Sequence, residues 1–116
     1  MRKTAILFIE DAIVADTISD VLSEAGLITY TALTEETAQE LLVVVKPDFL
    51  LMDYWKGTVQ QCKDLVEFTK NHWKMNPHII LITSDIRFEN VIDSVDVHAI
   101  LPKPFDLDAL SRAILL

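Results

Sequence analysis

Five short apolar segments alternate along this chain with stretches whose apolar residues recur at helical spacing. The segments Ala5–Ile9 and Ile79–Ile82 are near-continuous apolar runs, as expected of strands that are buried on both faces. Helices that return the chain between such strands make the strands parallel. The pattern therefore predicts one parallel sheet covered by helices on both sides. The predicted strands are 5–9, 28–32, 49–53, 79–83 and 97–101.

The helical stretches between these strands carry start and stop residues. Thr34 can cap a second helix whose first turn contains Glu35 and Glu36, where carboxylates suit the helix dipole. Gly26 is placed as a C-cap that stops the first helix, and Asp106 can cap the last. Two further helices are predicted over about 58–73 and 87–95, which gives an α/β chain with five helices.

Right-handed crossovers leave few topologies for such a chain. The flavodoxin-like, doubly wound order 2-1-3-4-5 puts the first and third strands side by side at the switch point where open sheets bind ligands. A Rossmann dinucleotide fold is the alternative, but two glycines cannot supply a G-x-G-x-x-G or Walker loop. The length of 116 residues predicts a single domain, 1–116.

Composition excludes several classes of protein. A hydrophobic content of 51% excludes disorder, and no apolar run approaches the ~20 residues of a membrane helix. One cysteine, Cys62, cannot form an internal disulfide, so we expect a core residue and a reducing cytoplasm. The net charge of -8 argues against direct nucleic-acid binding. His72, His78 and His98 show no metal-ligand spacing, and no function is predicted for them.

Charged residues stand where three of the predicted strands end. Glu10 and Asp11 follow the first strand, Asp53 ends the third, and Lys103 follows the fifth. Parallel strands that lie side by side bring these side chains to one edge of the sheet. Carboxylates crowded together repel unless a cation lies among them, and Mg²⁺ prefers oxygen ligands. The sequence therefore predicts a metal-assisted phosphoryl site.

In four segments, the chain resembles the receiver domain of bacterial two-component response regulators. They occur in the family's order and close to its spacing, and together they extend over nearly the full length. The segments are Ile6–Asp11 (ILFIED), Lys46–Asp53 (KPDFLLMD), Ile80–Ser84 (ILITS) and Leu101–Phe105 (LPKPF).

The resemblance implies a role for each matching acidic position. Asp53 matches the aspartate that accepts a phosphoryl group from a histidine kinase. Glu10 and Asp11 match the acidic pair that binds Mg²⁺ together with Asp53, and the main-chain carbonyl of Trp55 matches a further metal ligand. The chemistry suits this set, because a carboxylate attacks an anionic phosphoryl donor only if the developing negative charge is neutralised.

The resemblance also implies contacts to the phosphoryl group itself. Thr83 matches a hydroxyl that bonds to it, Lys103 matches the lysine that pairs with it, and the small Ser84 leaves the pocket open. Trp55 and Asp85 match positions that flank the approach of a hydrolytic water. We expect the indole to obstruct that water and to prolong the phosphorylated state.

Three departures from the family pattern concern the readout of phosphorylation. Ile100 stands where receivers carry a switch aromatic, so a rotamer switch between an aromatic residue and Thr83 cannot operate. The loop 54–58 lacks the usual Pro-Gly turn, and the segment from Thr83 to Lys103 is about two residues short. The phosphorylation site is complete, whereas the usual output is not.

The function expected from these features is a phosphorylatable switch. Its partners would be a sensor histidine kinase or phosphotransfer protein and an effector domain or partner protein, with a homodimer left open. It would not be an enzyme beyond its own phosphoryl transfer and slow hydrolysis. One alternative is an interaction module that keeps the fold and binds constitutively through the face carrying Ile100. A Mg²⁺-dependent phosphatase ranks low, because Trp55 stands where such phosphatases have a second aspartate.

Overall fold

The computed structural model describes residues 2–53, 59–71, 76–83, 97–102 and 106–115. The predicted helix 87–95 lies outside these ranges, so the last helix is numbered α4 here. The strands are β1 (Thr4–Phe8), β2 (Ile28–Ala32), β3 (Phe49–Asp53), β4 (His78–Thr83) and β5 (Ala99–Pro102). The described helices are α1 (Ala12–Glu24), α2 (Glu35–Val45), α3 (Val59–Asn71) and α4 (Leu107–Leu115).

The five strands form one parallel sheet in the order β2-β1-β3-β4-β5, which confirms the predicted flavodoxin-like topology. β3 is the central strand, with β1 on one side and β4 on the other. Phe8 is paired with Met52, Asp53 with Ile82, and β4 ends where Thr83 meets Pro102. The carboxyl ends of β1, β3, β4 and β5 therefore lie at one edge of the sheet.

Strand alternation separates two apolar cores, one on each face of the sheet. Leu7 and Leu51 face α1 and α4, which contribute Ile18 and Leu110. The opposite face packs against α2 and α3. Its fully buried side chains are Ile6, Ala32, Ala38, Leu42, Leu50, Met52, Cys62 and Leu65. This arrangement confirms the prediction that Cys62 is a core residue.

The predicted helix caps are present. The hydroxyl of Thr34 accepts a hydrogen bond from the amide of Thr37 at 3.1 Å, and the carboxylate of Asp106 accepts one from Ala109 at 2.6 Å. Both satisfy amides that lack partners in the first turn of a helix. The longest described helices have 13 residues, and none is long and apolar enough to cross a bilayer.

Gly26 ends α1, although it is the residue after the C-cap rather than the cap itself. Ala25 is the C-cap, and Gly26 follows with a φ of +91°. The amide of Gly26 donates to Ser23 and that of Leu27 donates to Leu22, at 3.0 and 2.9 Å. This is the Schellman arrangement, which requires a left-handed residue at that place and so favours glycine.

Three strands and one helix have bounds that differ from those predicted. β1 begins and ends one residue earlier than 5–9, and β4 begins one residue earlier than 79–83, at His78. β5 covers Ala99–Pro102 rather than 97–101. Apolar runs mark burial, whereas pairing is decided by the neighbouring strand, and Ala99 is the first residue of β5 that pairs, with Ile80. α3 is shorter than the predicted 58–73, at Val59–Asn71.

Candidate functional site

The predicted phosphoacceptor, Asp53, is the last residue of the central strand. Its side chain is only 6% exposed, and it is one of three described polar residues that are buried. The Cys62 thiol in α3 donates to the main-chain carbonyl of Asp53 at 3.8 Å. A carboxylate in this position is shielded from most of the solvent, and its strand end is held by the helix packed beneath it.

The predicted acidic pair lies just beyond the end of β1, the strand next to Asp53. Both Glu10 and Asp11 are exposed. The Oδ1 atom of Asp11 accepts hydrogen bonds from the amides of Ile13 and Val14, at 2.9 and 3.3 Å, so Asp11 caps α1. The second carboxylate oxygen is not needed for the cap. Capping and metal binding are therefore compatible at this residue.

Thr83 ends β4 and is 3% exposed. Alternation along the strands puts Asp53 on the face that carries α1 and Thr83 on the face that carries α3. The two side chains thus leave the sheet at the same edge from opposite faces. Pro102, opposite Thr83, is the last residue of β5, and Lys103 is the next residue in the sequence.

The three carboxylates suit Mg²⁺ by the chemistry of their donors, which are hard oxygens. Within the ranges that the structure describes, however, no three His, Cys, Asp or Glu side chains are grouped so as to hold a metal ion. Glu10, Asp11 and Asp53 therefore lie at neighbouring strand ends without forming a ready-made cluster. The binding of a metal would require them to be drawn together.

Several predicted site residues fall outside the described ranges. These residues are Trp55, Ser84, Asp85 and Lys103. The expectation that the Trp55 indole obstructs water stays a prediction for that reason. Ile100 is described. It is half-buried, pairs with Leu81, and packs against the core on the α2 and α3 side.

A second acidic feature lies where α2 begins, at the same edge of the sheet. The Oε1 atom of Glu35 is buried, and it has no hydrogen-bond partner among the residues that the structure describes. Burial, and then the charge and hydrogen bonding of Asp64 in α3, raise the pKa of Glu35 above its ordinary value. Gln60 donates to the Oδ1 atom of Asp64 at 2.9 Å. The Asp64 carboxyl group therefore disfavours the ionised form of Glu35.

The opposite edge of the sheet holds two histidines for which the sequence predicted no role. The rings of His78 and His98 stack with their centroids 4.5 Å apart. They line a cavity of about 290 Å³ together with Lys3, Asp48 and Asn76. The sequence pattern did not indicate this stacking. The two histidines are separated by 19 residues in the chain, and the start of β5 differs from the predicted one.

Comparison with solved structures identifies the fold. No family model matches the chain, and no curated protein matches it in sequence. The chemotaxis protein CheY4 of Vibrio cholerae superimposes with a TM-score of 0.85 at 14% identity, covering 99% of this chain and 98% of that one. A response regulator from Thermotoga maritima gives 0.84 at 19% identity, covering 99% and 96%. A response regulator receiver protein from Pseudomonas putida gives 0.83 at 20% identity, covering 99% and 97%.

These likenesses show that the chain has the receiver-domain fold over nearly its whole length. The resemblance predicted from four sequence segments is confirmed at the level of the fold.

Proposed function

We propose that this chain is a phosphoacceptor receiver domain in which Asp53 takes a phosphoryl group from the phosphohistidine of a sensor kinase or phosphotransfer protein. One observation carries the proposal. In a receiver fold, a carboxylate that is only 6% exposed ends the central strand, between the strand that leads to Glu10 and Asp11 and the strand that ends at Thr83.

In the proposed reaction, a carboxylate oxygen of Asp53 attacks phosphorus and forms an acyl phosphate. The bond from phosphorus to the histidine nitrogen breaks, and the imidazole leaves with the bonding electrons. The hydroxyl of Thr83 donates a hydrogen bond to a phosphoryl oxygen, and the ammonium of Lys103 pairs with the same group. The burial of Asp53 strengthens such contacts, because charges interact more strongly away from water.

Mg²⁺ is the cofactor that fits this proposal. Glu10, Asp11 and Asp53 would hold it, with the main-chain carbonyl of Trp55 as a further ligand. The ion would supply positive charge that offsets the repulsion between the carboxylates and the phosphoryl donor. The exposure of Glu10 and Asp11 supports this role, because an ion can reach both carboxylates from solvent.

The test is incubation of the purified chain with acetyl phosphate and Mg²⁺, followed by intact-mass measurement. We expect the mass of one phosphoryl group to be added, in an adduct stable in acid and labile in base. Asp53→Asn is the matched control, because it preserves shape and removes the nucleophile. An unmodified wild type, or a variant modified to the same extent, would refute the proposal.

A second candidate function follows from Ile100. An aliphatic, half-buried side chain occupies a position of β5 on the same face as Thr83. The chain would then bind a partner through this face whether or not Asp53 is phosphorylated. Equal partner binding by the wild type and Asp53→Asn, with and without acetyl phosphate, would favour this function over the switch.

The remaining assignments rest on the same proposal. A kinase that uses ATP acts in the cytoplasm, and we therefore place this domain in the same compartment. It is not an enzyme beyond its own phosphoryl transfer and slow hydrolysis. An effector domain or partner protein would receive the output.

A further inference from the structure

His98 and Ile79 exchange two hydrogen bonds where β5 begins. The amide of His98 donates to the carbonyl of Ile79 at 2.9 Å, and the amide of Ile79 donates to the Nδ1 atom of His98 at 2.9 Å. The second bond is unusual, because an imidazole nitrogen takes the place of a main-chain carbonyl in the ladder. The side chain of His98 thus holds the start of β5 against β4 by a hydrogen bond.

This hydrogen bond matters because β5 is a short strand at the side of the described sheet. It has four residues, it is the terminal strand in the described sheet, and it pairs with β4. Its last residue, Pro102, has no amide hydrogen to donate. A strand of four residues depends strongly on each bond that holds it against its neighbour.

The bond to Nδ1 requires a neutral ring. A ring nitrogen can accept a hydrogen bond only while it carries no proton, and both nitrogens of an imidazolium are donors. Protonation at Nδ1 would place its N–H opposite the N–H of Ile79, so that no acceptor remains between them. It would also put a positive charge on the ring that stacks on His78, with the ring centroids 4.5 Å apart. His98 is exposed, so its ring can exchange protons with solvent.

Among the described residues that line the cavity beside the pair, two are charged: Lys3, which precedes β1, and Asp48, which precedes β3. Asp48 also accepts a hydrogen bond from the amide of Thr4 at 2.9 Å. α4 contributes the apolar Ile114 to this cavity, and Asn76 is neutral.

Burial, and then the neighbouring His98, lower the pKa of His78. The folded chain therefore keeps His78 neutral at a pH where the unfolded chain becomes charged. The stability from this source is present above the ordinary histidine value of about 6.5 and is lost as the pH falls below it.

We propose that His98 is a positioning residue that fixes β5, and through it the place of Pro102 opposite Thr83, by a bond that breaks on protonation. The receiver function proposed above is the premise only for the link to Thr83, the site residue that pairs with the end of β5. The hydrogen bond itself is seen in the geometry around Ile79 and does not depend on that function. The bond holds the start of β5 while Nδ1 is unprotonated, and it is lost when Nδ1 takes up a proton.

The first test is hydrogen exchange of the Ile79 amide by NMR, corrected for the intrinsic rate, at pH values above and below 6.5. In the wild type we expect protection to fall about fivefold more than that of Leu7 in β1, since one hydrogen bond contributes about 1 kcal/mol. In His98→Asn, whose side-chain oxygen can accept the same bond and cannot titrate, protection should change no more than that of Leu7. His98→Ala should lack the protection at both pH values.

Parallel pH dependence of Ile79 and Leu7 in the wild type would overturn the proposal, and so would an Ile79 amide as protected in His98→Ala as in the wild type. If His98→Ala does not fold, the comparison of the wild type with His98→Asn still decides the matter. No phosphorylation is needed, so this result is independent of the proposed function.

The second test links the bond to the site. We expect the rate of Asp53 phosphorylation by acetyl phosphate to fall in mild acid by a larger factor in the wild type than in His98→Asn. The titration of acetyl phosphate and of the acidic site is common to both proteins. Its effect therefore cancels when the rate change of the wild type is divided by that of His98→Asn. Identical pH profiles would refute the link to Thr83. Absence of phosphorylation in both would refute the receiver function and leave the exchange result standing.

Discussion

The buried thiol of Cys62 donates a hydrogen bond to the main-chain carbonyl of Asp53 across 3.8 Å. The contact joins the first turns of α3 to the end of the central strand, at the residue proposed to accept the phosphoryl group. A thiol is a weak donor, so most of the benefit comes from packing in a fully enclosed position.

Cys62→Ala should lower the free energy of unfolding by about 1 kcal/mol, because it removes a buried atom and the contact to Asp53. Urea denaturation measures the loss. Glu67→Ala, at an exposed position of the same helix, is the control and should leave stability within about 0.5 kcal/mol of the wild type. Equal effects of the two substitutions would contradict the enclosed position of Cys62.

Asp11 combines a cap with a proposed metal ligand, and two substitutions separate these roles. Asn caps helices as well as Asp, so Asp11→Asn should retain the stability of the Mg²⁺-free protein while reducing the rise in Tm that Mg²⁺ produces in the wild type. Asp11→Ala should lose the Mg²⁺ effect and also about 1 kcal/mol of stability without Mg²⁺. Thermal melts with and without Mg²⁺ measure both quantities. A wild-type Mg²⁺ response in Asp11→Asn would exclude Asp11 as a ligand.

Most of the architecture could be predicted from the sequence, because it depends on local chemistry and on burial. Thr34 and Asp106 mark helix starts by a side-chain oxygen that accepts from an amide three residues later. The apolar runs marked the strands because both faces of a parallel sheet are buried. The strand order followed from crossover handedness, which leaves few alternatives.

The features that could not be predicted from the sequence depend on how the strands pair in space. The start of β5 is set by the pairing of Ala99 with Ile80, which no periodicity encodes. The stacking of His78 on His98 has the same origin. The candidate site was predictable as a set of strand ends, whereas the separation of its carboxylates was not, because side-chain placement beyond a strand end depends on the loops around it.

The end of α1 provides a test of backbone conformation alone. Gly26 has a φ of +91°, yet a Cβ atom added there would meet no atom within 4 Å. Gly26→Ala should therefore destabilise the fold by about 1 kcal/mol through left-handed strain and without steric crowding. Gly26→Asn should cost less, because asparagine tolerates this conformation better than alanine. The midpoint of urea unfolding ranks the three proteins, and an alanine variant as stable as the wild type would rule out the strain.

Glu35 provides the most direct test of the electrostatics near the site. Its folded-state pKa is raised by burial and by Asp64, so folding favours the protonated form. The associated stability is present below the ordinary value of 4.5 and is lost as the pH rises through the raised pKa. At neutral pH Glu35 is therefore a destabilising charge, and Glu35→Gln should raise the urea midpoint there. The gain should shrink at about pH 4, where Glu35 of the wild type is largely protonated.

Glu36→Gln is the matched control for this prediction. It removes an exposed charge from the same first turn of α2 and loses the same favourable interaction with the helix dipole. In an Asp64→Asn background the benefit of Glu35→Gln should be smaller, because part of the repulsion has already been removed. A gain that is independent of pH, or one equal to that of Glu36→Gln, would show that the two carboxyl groups do not interact as their positions require.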